Sequence, residues 1–214
     1  MAFDVARYSN LPFVADADAR FNEQLASAGL TREQLFSKLG PLFLGSPYAA
    51  CLIHRHYSLN DGERMVTIGE STQPSTDTSR QIVAECWSSS GEEIEHRLTD
   101  GSTTLPPPPP FGFFTQYKII LDSHAIDVLG VCYAPDKLAD GFIFSESGGL
   151  GDRERVTTII HHSARSDHSY DVTWLVTCNT DGVYEVTTAC GCNGTGCAKP
   201  CPPPPPPNTT GREL

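Results

Sequence analysis

Two runs of consecutive prolines, at positions 106–110 and 202–207, constrain the fold of this 214-residue chain more than any other feature. Proline has a fixed φ angle and no backbone N–H, so neither run can lie inside a helix or a central strand. Each run must extend as a rod of about 3.1 Å per residue. The first predicts a proline-rich loop over 102–110. The second predicts a spacer, or a ligand for a proline-recognising protein with an aromatic groove.

The first forty residues carry the signals of two helices. Phe21 begins an apolar stripe that continues four and seven positions later, and Gly29 follows it as a typical C-cap. Thr31 and Gln34 have the spacing of a capping box, which predicts the start of a second helix. That helix is expected to end at Gly40, where a proline follows. We interpret this helical pair as a packing element.

From residue 49 onwards the pattern becomes that of β-strands. The segments "AACLIHRHYSL" and "ERMVTIG" flank an Asn-Asp-Gly sequence, which predicts a hairpin because Asp-Gly supplies positive φ angles. The segment "SYDVTWLVTCNTDGVYEVTTACG" predicts a second hairpin, with its turn at Asp181-Gly182. Helices and strands do not alternate strictly. The predicted fold is therefore α+β, with an N-terminal helical pair packed on a largely antiparallel β-sheet or partial barrel.

The charge of the chain limits its partners. The formal net charge is −11 and the isoelectric point is near 4.9. Nucleic acids and anionic membranes require clustered lysine and arginine, so the sequence disfavours both as partners. A small-molecule substrate that is neutral or cationic fits this charge. We also find no signal peptide and no apolar stretch of about 20 residues, which predicts a cytoplasmic protein without a membrane anchor.

Four cysteines near the end of the sequence form the strongest metal-binding pattern. Cys190, Cys192, Cys197 and Cys201 have the spacing C-x-C-x4-C-x3-C, and glycines between them allow a tight loop. Four thiolates bind zinc in a tetrahedron, so we predict a structural zinc site here. Disulfides with three alternative pairings, free thiols and a mixed site that recruits a histidine remain open. Residues 1–188 are predicted to form one α+β domain, and residues 189–214 a cysteine-rich loop and proline-rich tail.

His54 and His56 are the candidate catalytic residues. They are two positions apart in a predicted strand, so both imidazoles should lie on one face and could share a second metal ion. The alternative is that both are hydrogen-bonded strand residues without a chemical role. A three-histidine centre would form if His161 or His162 lay across the sheet from them.

Two resemblances bear on this region. The stretch "HRHYSLNDGERMVTIG" is similar to the first motif of cupins, which contains H-x-H, a nearby Glu and a later Gly. Here six residues separate His56 from Glu63, where cupins have three or four. In the predicted hairpin Glu63 would lie about 13 Å from His56 along the strand, too far to share a metal ion with it.

The second resemblance covers roughly residues 48–150. The segments "CLIHRHYSLNDGERMVTIGESTQP" and "DVLGVCYAPDKLADGFIFSE" resemble a group of uncharacterised intracellular proteins of filamentous fungi. The shared elements are H-R-H, G-E-x-M-V-x-x-G, Q-P and L-G-x-x-Y-A-P. The resemblance implies a cytosolic fungal protein, and it suggests a small biosynthetic enzyme of specialised metabolism.

Three classes of function follow from these patterns. The first is a metal-stabilised or metal-dependent enzyme that acts on a small molecule at His54 and His56. The second is a non-catalytic interaction module that presents a zinc loop and proline-rich segments to another protein. The third is a transferase that uses an activated small molecule or an aminoacyl donor. A deep polar pocket around the two histidines would favour the enzymes, and solvated histidines would favour the interaction module.

Overall fold

A computed structural model describes residues 3–77, 81–99, 101, 105–136, 138–148 and 153–193. Its α-helices are α1 (Val5–Ser9), α2 (Val14–Ala28), α3 (Arg32–Phe43) and α4 (Phe111–Asp122), and a short 3-10 helix spans His162–Ala164. Its strands are β1 (Tyr48–Leu52), β2 (Arg64–Ile68), β3 (Ser71–Ser75), β4 (Gln81–Ser88), β5 (Glu93–Thr99), β6 (Leu129–Tyr133), β7 (Phe142–Gly148), β8 (Arg155–His161), β9 (Ser169–Cys178) and β10 (Tyr184–Asn193). Among these helices, none has the length and apolarity needed to cross a membrane.

The strands of the described chain form a closed barrel. Their order around the ring is β1-β6-β4-β5-β2-β3-β8-β7-β10-β9, and β9 pairs with β1 to close it. The pairs β2/β5 and β7/β10 are parallel and the other neighbours are antiparallel. The predicted α+β class is confirmed, and the sheet closes on itself. Closure leaves no free sheet edge and encloses a space that side chains from every strand can line.

The two predicted helices form as the sequence indicates. Gly29 ends α2 with a φ angle of 65°, and Thr31 and Gln34 form the reciprocal capping box of α3. The predicted end of α3 at Gly40 is wrong by about one turn. The helix continues to Phe43 because this ring is buried edge-on against aromatic side chains that include Tyr117.

Trp174 of β9 connects the helices with the barrel wall. Its ring centroid lies 5.7 Å from that of Phe21 on α2 and 5.4 Å from that of Phe36 on α3, and all three side chains are buried. Aromatic rings at these separations add to the free energy gained from their burial. The Arg32 guanidinium lies 5.3 Å from the Trp174 ring and covers this contact on the polar side.

The hairpin predicted around Gly62 is wrong. A turn is present there, but β1 pairs with β6 and β9, whereas β2 pairs with β3 and β5. Both edges of β1 are already occupied, so β2 takes a place four strands away around the ring. The connection 53–63 therefore crosses an end of the barrel. Arg55 fixes this connection, because its backbone N–H donates to Pro12 at 2.8 Å and its guanidinium stacks on Phe13.

A second predicted hairpin is present in the sheet, and one strand of the sheet was not predicted. The hairpin at Asp181-Gly182 is confirmed as β9 and β10, with an irregular register around Cys190. Strand β5 lies in the segment "SSSGEEIEHRLTDGSTTL", whose polar composition is typical of turns. The sequence pattern did not indicate this strand, because Ile94 and His96 are its only buried residues and charged residues lie beside and between them.

The first proline run packs on the protein itself. The hydroxyl of Tyr133 donates to the carbonyl of Pro106, and that of Tyr48 donates to Pro107, both at 2.9 Å. The two tyrosines are cross-strand partners at one end of β1 and β6. We call residues 105–110 the proline strap. The second run, at 202–207, lies outside the described residues.

Candidate metal centre

The barrel encloses a cavity of about 880 Å³. Strand hydroxyls and carboxylates line one part of it, and apolar side chains and thiols line another. Pro47, Ala134 and Leu105 of the proline strap line the cavity near the Tyr48 end of β1. His54 and His56 line it where the chain leaves the other end of β1. The volume is in the range that small organic ligands occupy in proteins.

His54 has the hydrogen bonding of a metal ligand. It follows β1 in the connection 53–63 and is 7% exposed. Its Nδ1 lies 2.9 Å from the carbonyl oxygen of Leu52, so Nδ1 carries the proton of a neutral ring. Its buried Nε2 has no hydrogen-bond partner among the described residues. A donated N–H on one ring nitrogen fixes the tautomer and leaves the lone pair of the other nitrogen for a metal ion.

Three other donors lie beside His54. Ligand atoms of His54, His56, Glu146 and Cys192 all lie within 4.8 Å of one another. The two imidazole centroids are 4.5 Å apart at an interplanar angle of 72°. The prediction that both imidazoles lie on one side of the chain is confirmed, although β1 ends at Leu52 and neither histidine belongs to the strand. The segment stays extended because Arg55 bridges to Phe13 and points away from the cavity.

Arg155 of β8 contacts two of these four donors. Its Nη1 contacts Nε2 of His56 and donates to Glu146 at 3.1 Å, and its Nη2 donates to Thr72 at 3.1 Å. Nη2 also lies 3.4 Å from a carboxylate oxygen of Glu95. A guanidinium only donates, so in its contact with Arg155 His56 Nε2 is the acceptor. The same nitrogen lies 3.3 Å from a carboxylate oxygen of Glu95 that has no hydrogen-bond partner among the described residues. The arginine therefore holds the site together without a metal ion.

Burial and charge act against each other in this group. Burial acts to lower the pKa of Arg155, but the carboxylates of Glu146 and Glu95 raise it well above its ordinary value. Burial likewise acts to raise the pKa of Glu95, but the Arg155 guanidinium holds it well below its ordinary value. Both side chains are therefore charged at neutral pH, and each needs the other.

The donor types fit a borderline or soft divalent metal. Imidazole nitrogen, carboxylate oxygen and thiolate sulfur are the three ligand types that zinc takes in proteins. The site could hold zinc with His54, His56 and Cys192 as the nitrogen and sulfur donors and Glu146 as the oxygen donor. Of the alternatives left open for the cysteines, these side chains allow a mixed site with both cysteine and histidine ligands.

The predicted four-cysteine loop is placed only in part. Cys190 and Cys192 lie in β10 and are buried, beyond the predicted domain boundary at 188/189, so this boundary falls inside a strand of the barrel. Cys197 and Cys201 lie outside the described residues, and a structural zinc site with all four thiolates stays a prediction. Cys190 lines the cavity but is not among the four grouped donors. Burial, and then the Glu146 carboxylate, raise the pKa of its thiol well above the ordinary value.

The other candidate residues lie elsewhere. His161 and His162 are exposed, and His161 stacks edge-on against Phe142 at the far end of β8 from Arg155. Glu63 binds Arg153 outside the donor group, at 2.7 Å. Sequence reasoning missed Glu146 and Arg155 as site residues. Glu146 lies in the segment "DGFIFSES", whose apolar residues are typical of a strand, but nothing in that segment indicates which strands lie opposite.

Three further cysteines, which lie in apolar segments of the sequence, line the cavity wall. Cys51, Cys86 and Cys132 come from β1, β4 and β6, and the sulfurs of the first two are 3.5 Å apart. Hydrogen bonds with Cys132 and Cys86, together with burial, raise the pKa of Cys51 well above its ordinary value. The hydrogen bond with Cys51 acts to lower the pKa of Cys86, but burial and the neighbouring Cys132, Glu95 and Glu85 together raise it to about 11. These two thiols are protonated at neutral pH and are therefore poor nucleophiles.

The site thus combines four metal-binding side chains from three separate parts of the chain with a buried arginine and a cavity. His54 and His56 come from the connection after β1, Glu146 from β7 and Cys192 from β10. No protein-family model, curated protein or solved structure matches the chain.

Proposed function

We propose that this protein is a metal-dependent enzyme that acts on a small molecule inside the barrel. One observation carries the proposal. The buried Nε2 of His54 has no partner among the described residues, and a ring nitrogen of His54 lies within 4.8 Å of ligand atoms of His56, Glu146 and Cys192. Leaving a polar atom buried and unpaired costs about 1–3 kcal/mol, and a metal ion would remove that cost.

The residues would divide the work as follows. Leu52 fixes the His54 ring through its carbonyl oxygen, and His54 and His56 supply the nitrogen donors. Cys192 supplies the sulfur donor from the barrel wall. A bound zinc ion would polarise a substrate oxygen or lower the pKa of a bound water molecule. Glu146 also has Arg155 as a hydrogen-bond partner, so its carboxylate is the donor that can move away and leave a position for substrate.

Metal content is the test. We would purify the protein without a histidine tag under reducing conditions and measure bound metals by mass spectrometry. The wild type is expected to hold about one equivalent of zinc at this site, and His54→Ala should lose it. His96→Ala is the matched control, because His96 is also buried and its Nδ1 also has no partner among the described residues, yet it lies outside the donor group. Equal metal content in all three proteins would remove His54 as a ligand.

The cysteines require a separate arm of this experiment. A zinc ion held by Cys197 and Cys201 would survive in His54→Ala and obscure its loss. The double variant Cys197→Ser/Cys201→Ser removes that contribution and should leave zinc bound at the histidines. Zinc that disappears in this double variant and persists in His54→Ala would place the metal at the four-cysteine loop instead.

A second candidate is a small-molecule-binding protein without a metal. The observation that favours it is the pairing of Arg155 with Glu146, Glu95 and Thr72, which gives both buried carboxylates a cationic partner without a metal ion. A closed barrel with an internal cavity suits such a role. A metal-free protein that keeps its stability after exhaustive chelation and binds hydrophobic probe molecules in the cavity would support this candidate over the enzyme.

A further inference from the structure

We propose that the site binds its small-molecule ligand through a carboxylate group held by Arg155, and that metal binding makes Arg155 available for this contact. The inference rests on the proposed metal centre and names the substrate class of that site. Arg155 is 7% exposed and lines the cavity beside the four donors. It is therefore a buried cation within reach of any molecule that approaches the metal.

The metal and Arg155 compete for the one available lone pair of His56. Arg155 Nη1 contacts Nε2 of His56 and donates to a carboxylate oxygen of Glu146. A neutral imidazole has one nitrogen lone pair, so His56 Nε2 cannot accept from Arg155 and coordinate a metal ion at the same time. When the metal takes the His56 lone pair, Nη1 loses this acceptor, while the Glu146 carboxylate has enough lone pairs to bind the metal and still accept from Nη1.

With the metal bound, one N–H group on each of two nitrogens of the guanidinium, Nη1 and Nε, has no acceptor in the described part of the chain. Its buried Nε already has no partner among the described residues. Nη2 keeps its contacts, at 3.1 Å to Thr72 and 3.4 Å to Glu95. Buried donors without acceptors are costly, and a carboxylate matches the planar donor set of arginine better than any neutral group does.

The change in charge on metal binding favours an anionic ligand, as the change in hydrogen bonding does. A divalent ion adds two positive charges to the site. The loaded site is therefore more positive than the metal-free site, which favours an anionic ligand. The overall charge of −11 predicted a neutral or cationic substrate, but the nearest cation to the metal decides the ligand group that binds there.

Thermodynamic linkage gives a test that does not require the reaction to be known. We would measure the affinity of the full-length wild type for zinc by competition with a chromophoric chelator, with and without saturating benzoate. Benzamide is the neutral control with nearly the same shape. Benzoate is expected to tighten zinc binding about tenfold, and benzamide to leave it unchanged, because each ligand must change the affinity of the other by the same factor.

Two variants identify the group that holds the carboxylate. Arg155→Lys keeps the positive charge and loses the planar donor set, so it should bind zinc with most of the benzoate effect gone. Arg97→Lys is the matched control, because Arg97 also lines the cavity but is paired with Glu85 at 2.7 Å. It should keep the full benzoate effect.

The outcomes separate this inference from the proposed function. Zinc binding in the wild type without any benzoate effect would overturn the carboxylate inference and leave the metal centre intact. An unchanged benzoate effect in Arg155→Lys would show that the metal alone holds the carboxylate, which also overturns it. A wild type that binds no zinc at this site would overturn both. If Arg155→Lys does not fold, a wild type that binds zinc equally well with benzoate and with benzamide would still overturn the inference.

Discussion

Cys192 lies directly opposite Glu146, where β10 and β7 run parallel. Cross-strand partners project from the same face of a sheet, so both side chains enter the barrel interior at one point. Two residues earlier, Cys190 is opposite Phe144 in the same register. One strand pair therefore presents a cysteine beside a carboxylate and another cysteine beside an aromatic ring.

This register predicts unequal roles for the two cysteines. Cys192→Ser should weaken zinc binding by at least about tenfold, the smallest effect usual for loss of a partner at a metal site. Cys190→Ser should change the zinc affinity little, although both residues are buried in the same strand. The measurement is zinc affinity by chelator competition, with circular dichroism to confirm folding. Equal losses in the two variants would contradict the assignment of Cys192 as the donor.

The candidate site was predictable only where its residues are close in sequence. His54 and His56 share a face because alternate residues of an extended chain do so, and this needs no knowledge of the fold. Glu146 and Cys192 join them through the parallel pairing of β7 with β10, which no local pattern specifies. Arg155 enters the site because β8 follows β3 around the barrel. Its sequence context shows only a basic residue at the start of a strand.

The same distinction holds for the fold. The capping box at Thr31 and the turn at Gly182 are properties of a few neighbouring residues, and both are confirmed. The hairpin around Gly62 was predicted from equally good local signals and is wrong. The turn forms, but pairing of β1 with β6 and β9 decides where the strands lie. Neighbouring residues determine the turn, and long-range pairing determines the partners of the strands on either side of it.

Gly130 of β6 provides the space in which the histidine connection begins. A Cβ at this position would overlap the Ile53 side chain and the carbonyl oxygen of Trp87. Gly130→Ala should therefore lower the free energy of unfolding by about 1–3 kcal/mol through overpacking. It should also weaken zinc binding, because Ile53 must shift and His54 is the next residue. Urea unfolding and chelator competition measure the two effects.

Gly112 supplies the control for this substitution. It lies in α4, and a Cβ there would meet no atom within 4 Å. Gly112→Ala is expected to be neutral or to stabilise by up to about 1 kcal/mol, since alanine has the higher helix propensity. A Gly130→Ala protein as stable as Gly112→Ala, with unchanged zinc affinity, would show that Ile53 does not position His54.

Glu63 predicts a pH dependence of stability. Arg153 donates to its carboxylate at 2.7 and 3.1 Å, and this contact, with the Asn60 hydrogen bonds and against a smaller effect of burial, lowers the pKa of Glu63 from 4.5 to about 2. A carboxylate with a lowered pKa stabilises the fold above pH 4.5, and the stabilisation is lost as the pH falls from 4.5 towards 2. Arg153 is partly exposed, so solvent screening limits the contribution to about 1 kcal/mol.

Glu63→Gln isolates this contribution. The variant should be about 1 kcal/mol less stable than the wild type at pH 7, and the two should converge as the pH approaches 2. Urea unfolding midpoints at several pH values between 7 and 2.5 measure the difference. A constant difference over this range would mean that Glu63 acts through packing or neutral hydrogen bonds and not through its charge.

The proline strap predicts a role for two hydroxyl groups in access to the cavity. Tyr48 and Tyr133 hold the strap through single hydrogen bonds, and Pro106 lines the cavity beside Cys132. In Tyr48→Phe/Tyr133→Phe the rings and their packing remain while both donors are lost, at a cost of about 1 kcal/mol each. A looser strap should let a maleimide reach Cys132 severalfold faster, measured by peptide mass spectrometry after timed labelling.

A single hydroxyl elsewhere separates loss of stability from loss of the strap. Tyr57 donates to the carbonyl of Glu154 at 2.7 Å, beyond the opposite end of β1. Tyr57→Phe should lower stability by a similar amount per hydroxyl without changing the labelling of Cys132. If all of these variants label Cys132 at the wild-type rate, the cavity is reached by another path. If Tyr57→Phe accelerates labelling as much as the double variant, global opening and not the strap controls access, because labelling then follows the free energy of unfolding.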